Sequence, residues 1–504
     1  MRPPFRARRR LIVLLLVWVL FPLKLDAQST YDRIGQALGD RIKAIDLPGA
    51  EVVALVQDAR VRITVYEQHA SEPMQPGRLS QVLTAALALE EMDADFRFTT
   101  TYRMFGPVED RTLEGVLAVE GTGDPTVDTR LTERPEDIWE RFDRLADALA
   151  KRGIRRIAGG LIADAGHFDD TYIAPGWPSE RLGEPELPSV AALNFNGNCM
   201  EVIWQTGKTS GVPPEQYVFF PALKDYVHFA NNVEQVSLPN RPVQFDRVER
   251  SDLINALGEL PLRSTVRRRF AVGDPPLYYL HALRHRLAEH NITVEGELNK
   301  RQAGDSVQRL DAGQIIQTEE SPPLRIILRQ MMCHNLTLHG EVVFKTIGLE
   351  APGAVAEERD FQAGARMMES FLARLHLPGS APIVMDGSGC SRFNRLSAEQ
   401  LLGVFRAARA GPYGELFEGL FAQPWQPGVL ADRFHPPEDR KTHKPPPLRA
   451  AAASGENFEA LAGWVRHPSG NELLFVIRLA ADGVSRLRLR HELDSLARVL
   501  FAGS

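Results

Sequence analysis

The 504 residues carry 59 Lys and Arg against 65 Asp and Glu, a formal charge of −6, with 44% hydrophobic and 25% charged residues. An acidic balance argues against general nucleic-acid binding, and the ordinary make-up excludes collagen-like, low-complexity and coiled-coil chains. The length exceeds what one core usually holds, so two or more packed units are expected.

Residues 1–27 have the layout of a secretory leader. Arg2, Arg6, Arg8, Arg9 and Arg10 precede the apolar run Leu11 to Leu23, and the small residue Ala27 stands at the expected cut. The apolar run is broken by Pro22 and is short for a membrane span of about 20 residues, so cleavage is expected to leave no stable span. With the leader go those arginines, Lys24 and Asp26, and the formal charge falls from −6 to −11.

Apolar residues at Ile34, Leu38, Ile42 and Ile45 set an amphipathic first helix. Ala50 to Gln57 and Val61 to Tyr66 alternate as two strands around a turn at Asp58-Ala59. Pro76 to Glu90, PGRLSQVLTAALALE, then reads as an apolar helix. Leu113 to Val119 is strand-like, and Ile138, Phe142, Leu145 and Leu149 mark a helix stopped by Gly153.

Asn194 to Val272 is expected to be mostly strand and loop, with the run Arg267-Arg268-Arg269 a solvated strand end. A helix follows from Pro276 to Asn291, and helical spacing returns from Leu324 through Leu349. Ile383 to Asn394 reads as a strand entering a glycine-rich turn. Glu459 to Val465 and Leu473 to Leu479 read as paired strands, and Arg486 to Phe501 as a closing helix.

Cys199, Cys333 and Cys390 allow at most one internal disulfide. No metal or cofactor is expected. His334 and His339 are five apart without a carboxylate partner at helical spacing, and Gly121 and Gly123 lack a P-loop lysine.

Several motifs occur together in one order: Asp95-Phe96-Arg97-Phe98-Thr99-Thr100, Gly123-Asp124-Pro125-Thr126, Ala174-Pro175-Gly176-Trp177-Pro178, Asp386-Gly387-Ser388-Gly389 with Ser391, Arg392 and Asn394, and Leu461-Ala462-Gly463-Trp464. In these the chain resembles the class C low-molecular-mass penicillin-binding proteins, D-alanyl-D-alanine carboxypeptidase/endopeptidases of the penicillin-binding protein 4 type. The resemblance implies an α+β fold: a β-lactamase/transpeptidase-like domain, an antiparallel sheet flanked by helices, with inserted β-rich smaller domains. The implied division is 28–94 with 311–504 for the peptidase-like domain and 95–310 for the insertion.

The family's three chemical motifs are replaced. Its S-x-x-K pair, which must share a helix face for the lysine to take the serine proton, falls on Arg78 and Gln81, and neither can perform that step. Ser80 lies about 200° around the helix from Arg78. S-x-N falls on Asn335 and Thr337, and K-T-G on Ala451, Ala452 and Ala453. Lys441-Thr442-His443 lacks the glycine and reads as a loop before Pro445-Pro446-Pro447.

The resemblance leaves Arg78, Asn335, Thr337 and Ser454 as a candidate peptide-binding cleft. The oxyanion-hole N–H groups would belong to Arg78 and Ser454. The turn at Asp386, Gly387, Ser388 and Gly389 is implied to be a structural support. Cys333 and Cys390 both border that region; a bridge between them and two buried thiols are the alternatives, and the thiols are preferred.

The expectation is an exported homologue, in the periplasm or cell envelope of a bacterium, that binds peptidoglycan stem peptides or envelope proteins without catalysis. The alternative is a working carboxypeptidase with a rearranged site.

Overall fold

The computed structural model describes residues 30–223, 225–301, 312–350, 358–435 and 444–501. The leader 1–27 and Lys441-Thr442-His443 lie outside them.

The chain ends meet in one sheet. Its five strands lie in the order Leu448–Ser454, Phe458–Arg466, Glu472–Ala480, Glu51–Asp58, Thr64–Gln68, every neighbour antiparallel. Side chains alternate across a strand, and here the alternation sorts them into two cores. Val53, Leu55, Leu474, Val476, Ala460 and Ala462 face the central helices. Val52, Ala54, Val56, Phe475, Ile477 and Leu461 face the first helix (30–43) and the last, Arg486–Val499.

The helix Gln81–Glu91 is buried on all sides from Gln81 to Leu89, with Val82, Leu83, Ala85, Leu87 and Ala88 at 0% exposure. Burial on every face marks it as a core helix. Leu324–His334, Thr337–Glu350, Asp360–Arg374 and Ala398–Ala410 share its core. This sheet flanked by helices is the α+β arrangement that the resemblance implied.

Between them, among the described residues, stand four further sheets around a second core. The largest orders Leu298–Arg301, Leu161–Asp164, Val116–Gly121, Thr99–Phe105 and Gln314–Glu320, so it reaches past residue 310. The stretch 194–272 is mostly strand and loop, as expected. Lys345, wholly buried, ties this region to the helical core. Its ammonium bonds Asp169 Oδ1 and the Thr171 carbonyl at 3.0 Å each, lies 3.4 Å from Asp360, and sits over the rings of Phe168 and Phe361.

Four expectations need correction. The second strand starts at Thr64, not Val61, because the Asp58 carboxylate takes the N–H groups of Arg60 and Val61 at 2.8 Å and holds them in the turn. Leu113 to Val119 is two strands, Thr112–Leu113 and Val116–Gly121. The break falls where Gly115 approaches the Phe105 carbonyl so closely that a Cβ would sit 1.8 Å from it.

Ile383 to Asn394 forms only one bridge, Ile383 with Arg395, since Asp386 draws the turn's N–H groups to itself. Arg269 is no solvated strand end. It is largely buried, bonding Asp128 Oδ1 at 3.0 Å and the Asn196 carbonyl at 2.8 Å. Burial pushes the Asp128 carboxyl up, but Arg130 and Arg269 outweigh it and hold the group well below the usual carboxylate range.

Candidate functional site

Three elements converge at the head of the central helix: a short 3-10 turn, Gly77–Ser80, the Asn335 turn between two helices, and the edge strand Leu448–Ser454. Gly77 has φ +54°, and a Cβ there would meet the Phe458 ring at 3.0 Å, so glycine fits and little else does. Asn335 also sits in the left-handed region (φ 53°), ends the helix Leu324–His334, and donates from Nδ2 to the Ala452 carbonyl at 2.9 Å.

Arg78 joins these pieces. Its Nη1 donates to the Asn335 carbonyl at 3.0 Å and to Thr337 Oγ1 at 2.6 Å, and its Nη2 reaches the Glu186 carbonyl at 3.4 Å. Thr337 Oγ1 in turn donates to the same Glu186 carbonyl at 2.6 Å. Positions 78, 335, 337 and 452, from three separate stretches of the chain, thus form one hydrogen-bonded set.

Ala451, Ala452 and Ala453 pair with Ala462, Leu461 and Ala460 and are buried. The Gln81 amide is also buried, and neither of its polar atoms has a partner among the described residues; Ser80 Oγ is in the same condition.

Behind this set lies the Asp386 turn. Asp386, wholly buried, accepts from Trp177 Nε1 at 2.9 Å, the N–H groups of Gly389 at 3.1 Å and Ser391 at 2.7 Å, and Asn394 Nδ2 at 2.7 Å. Glu341 accepts from the N–H groups of Gly387 and Ser388, both at 2.9 Å. Burial and then the Asp386 charge push the Glu341 carboxyl up, while the two N–H groups and the Ser388 side chain oppose them. Thr84 Oγ1 donates to the Gly387 carbonyl at 2.7 Å, so the turn is clamped to the central helix. Four acceptances by one carboxylate leave it no lone pair to offer a substrate, which fits a supporting role.

A cleft of about 470 Å³ opens in front of Arg78. Arg78 and Ser454 line it together with Gly389, Cys390 and Phe458, while Asn335 and Thr337 lie behind Arg78. Ser454 Oγ donates to Glu459 Oε1 at 2.7 Å, and Glu459 is buried. Arg181, Arg392, Arg395 and Arg486 also line the cleft, as do the acids Glu186, Glu456 and Asp482.

All three cysteines are free thiols. Cys333 is buried against the Leu420 carbonyl, while Cys390 is half-buried 4.0 Å from Thr337 Oγ1. Among the described residues no three His, Cys, Asp or Glu side chains group as a metal site, and no helix is long and apolar enough to cross a membrane. Sequence reasoning missed Glu186 and the rim arginines Arg181 and Arg486. Glu186 joins the Arg78 set through its main-chain carbonyl, which no side-chain pattern reveals.

The family model for the D-Ala-D-Ala carboxypeptidase 3 (S13) family matches residues 34–500. A D-alanyl-D-alanine carboxypeptidase of Actinomadura sp. (strain R39) is 26% identical over 444 residues, covering 86% of this chain and 78% of that protein. The D-alanyl-D-alanine carboxypeptidase DacB of Haemophilus influenzae is 24% identical over 361 residues, covering 71% of this chain and 70% of its own. The crystal structure of penicillin binding protein 4 from that organism superposes with a TM-score of 0.72 at 20% identity, over 92% of this chain and 99% of that one, a likeness of fold. With nearly the whole of its described length matched, the chain belongs to the D-Ala-D-Ala carboxypeptidase 3 (S13) family.

Proposed function

We propose that this member of the family is an exported cell-envelope protein that holds peptidoglycan stem peptides, or another envelope protein, in the old catalytic cleft without cutting them. The observation that carries the reading is the Arg78 guanidinium, bonded to Asn335 and Thr337 where the family has its nucleophile. Arginine keeps its proton at any working pH, and the Gln81 amide is no base. Loss of a nucleophile or its base alone costs about six orders of magnitude in turnover in a serine hydrolase. Here both are replaced, as are the S-x-N and K-T-G positions.

What remains suits binding. The main-chain N–H groups at positions 78 and 454 survive any side-chain change, and both residues line the cleft. The strand Leu448–Ser454 is the last of its sheet; Ala450 is bridged to Ala422 and the Ala452 carbonyl is taken by Asn335, which leaves the end at Ser454 facing the cleft as the place where an extended peptide can add. The leader-like residues 1–27 support export to the periplasm or cell envelope of a bacterium.

A working enzyme with a rearranged site would need another serine to attack, and Ser454, its hydroxyl bonded to buried Glu459, is the candidate on the cleft. Incubation with a fluorescent penicillin, then denaturing electrophoresis and intact mass, separates the two, with the Actinomadura carboxypeptidase as control. The expected result is no adduct on folded protein. A stable adduct overturns the binding reading, and its mapping to Ser454 would establish the rearranged site.

A further inference from the structure

The cleft is cationic in an acidic protein. Five arginines line it against three acids, while the whole chain carries −6. Their partners separate them. Arg392 is neutralised by Glu180, and Arg395 donates to the carbonyls of Arg392 and Asn394. Among the described residues neither Arg78 nor Arg181 has a carboxylate within ion-pair distance, and the Arg486 Nε–H goes to the Gly455 carbonyl at 3.3 Å.

Arg78 also has donors to spare. Nη1 is spent on Asn335 and Thr337, but Nη2 makes one long bond, and Nε bonds no described group without being sealed from solvent. The Nε/Nη2 edge of a guanidinium is the fork that grips a carboxylate with two parallel bonds.

We propose that the cleft selects short peptides bearing two or more carboxylates, one gripped by Arg78 at the base and another drawn by Arg181 and Arg486 on the exposed rim. This rests on the reading of the cleft as a site that binds and does not cut. A peptide fits better than a phosphate polymer for two reasons. The space of about 470 Å³ takes only a few residues, and Glu186, Glu456 and Asp482 on the lining repel a uniformly charged strand. Phe458 and Leu187 supply apolar wall for the parts between carboxylates.

The test is fluorescence anisotropy with a labelled tetrapeptide carrying one glutamate and a free C-terminus, against the same peptide with glutamine and a C-terminal amide. The acidic peptide is expected to bind about tenfold tighter or more at low salt, with the gap closing as salt is raised. Arg78→Gln should remove most of the gap.

If thermal unfolding shows that Arg78→Gln does not fold, the exposed pair Arg181→Ala with Arg486→Ala decides, with a severalfold loss confined to the acidic peptide. Equal binding of both peptides overturns the charge selection and leaves the peptide-binding reading standing. Binding of neither overturns both. Tighter binding of a short oligonucleotide overturns the choice of ligand class.

Discussion

Replacing His339 by leucine tests the interior beside the Asn335 turn. His339 lies in the first turn of the helix Thr337–Glu350, wholly buried, and neither ring nitrogen has a partner among the described residues. Burial pushes the imidazole down to about 3; Asp128 and Asp124 oppose the shift, while Arg130 and His334 add to it.

The ordinary histidine value is about 6.5. Between that and about 3, the unfolded chain holds a proton that the folded protein refuses, so stability falls as pH drops through this window. Each unit is worth about 1.4 kcal/mol, so His339 alone should remove about 3 kcal/mol between pH 7.5 and 4.5. At pH 7.5 the ring is neutral in both states. Leucine there removes two unpartnered nitrogens, worth about 1–3 kcal/mol each, at the expense of a changed shape, so His339→Leu should be near neutral or stabilising.

The assay is urea unfolding by tryptophan fluorescence at pH 7.5 and 4.5. The readout is the difference between the two proteins, since a chain with several cores need not unfold in one step. The variant should gain about 3 kcal/mol on the parent as pH falls. Parallel pH curves would refute the reasoning, for they would mean that the ring carries its proton in the folded state.

Two further outcomes follow from the packing of the interior. Lys345→Met leaves Asp169 and Asp360 facing each other without their ammonium. The expected cost is about 3–5 kcal/mol in chemical denaturation, and part of it should return when Asp360→Asn is added. Gly389 has φ +83°, and a Cβ there would lie 2.0 Å from the Gly77 carbonyl. Gly389→Ala should therefore yield no soluble folded protein, and a near-native melting temperature would show that the turn can shift away from the helix head.

Much of this was legible because period and packing agree. The strands at Glu51–Asp58 and Glu472–Ala480 alternate between two buried faces, and the helices announce themselves by spacing. The Ile383–Asn394 stretch misled because it is apolar enough for a ladder, while Asp386 offers the backbone a competing acceptor.

Arg269 misled because Arg267 and Arg268, which precede it in the run, are exposed, whereas the carboxylate that buries it comes from position 128. Lys345 did leave a trace, a lone cation inside Val342, Val343, Phe344 and Ile347, although its two acids lie on other segments. Replacement of the three motifs could be read residue by residue. That Arg78 would gather Asn335, Thr337 and Glu186 could not, since two of those three contributions are main-chain carbonyls.

The central sheet also sets a schedule for folding. Glu51–Asp58 pairs along its whole length with Glu472–Ala480, so a strand made among the first residues waits for a partner made among the last. Until then its row Val52, Val53, Ala54, Leu55 and Val56 is a sticky ribbon with one covered edge, able to pair with the same ribbon on another nascent chain. A chain cut short anywhere before residue 472 has no way to close that edge, so loss of the last few dozen residues should produce aggregates in place of a smaller folded protein.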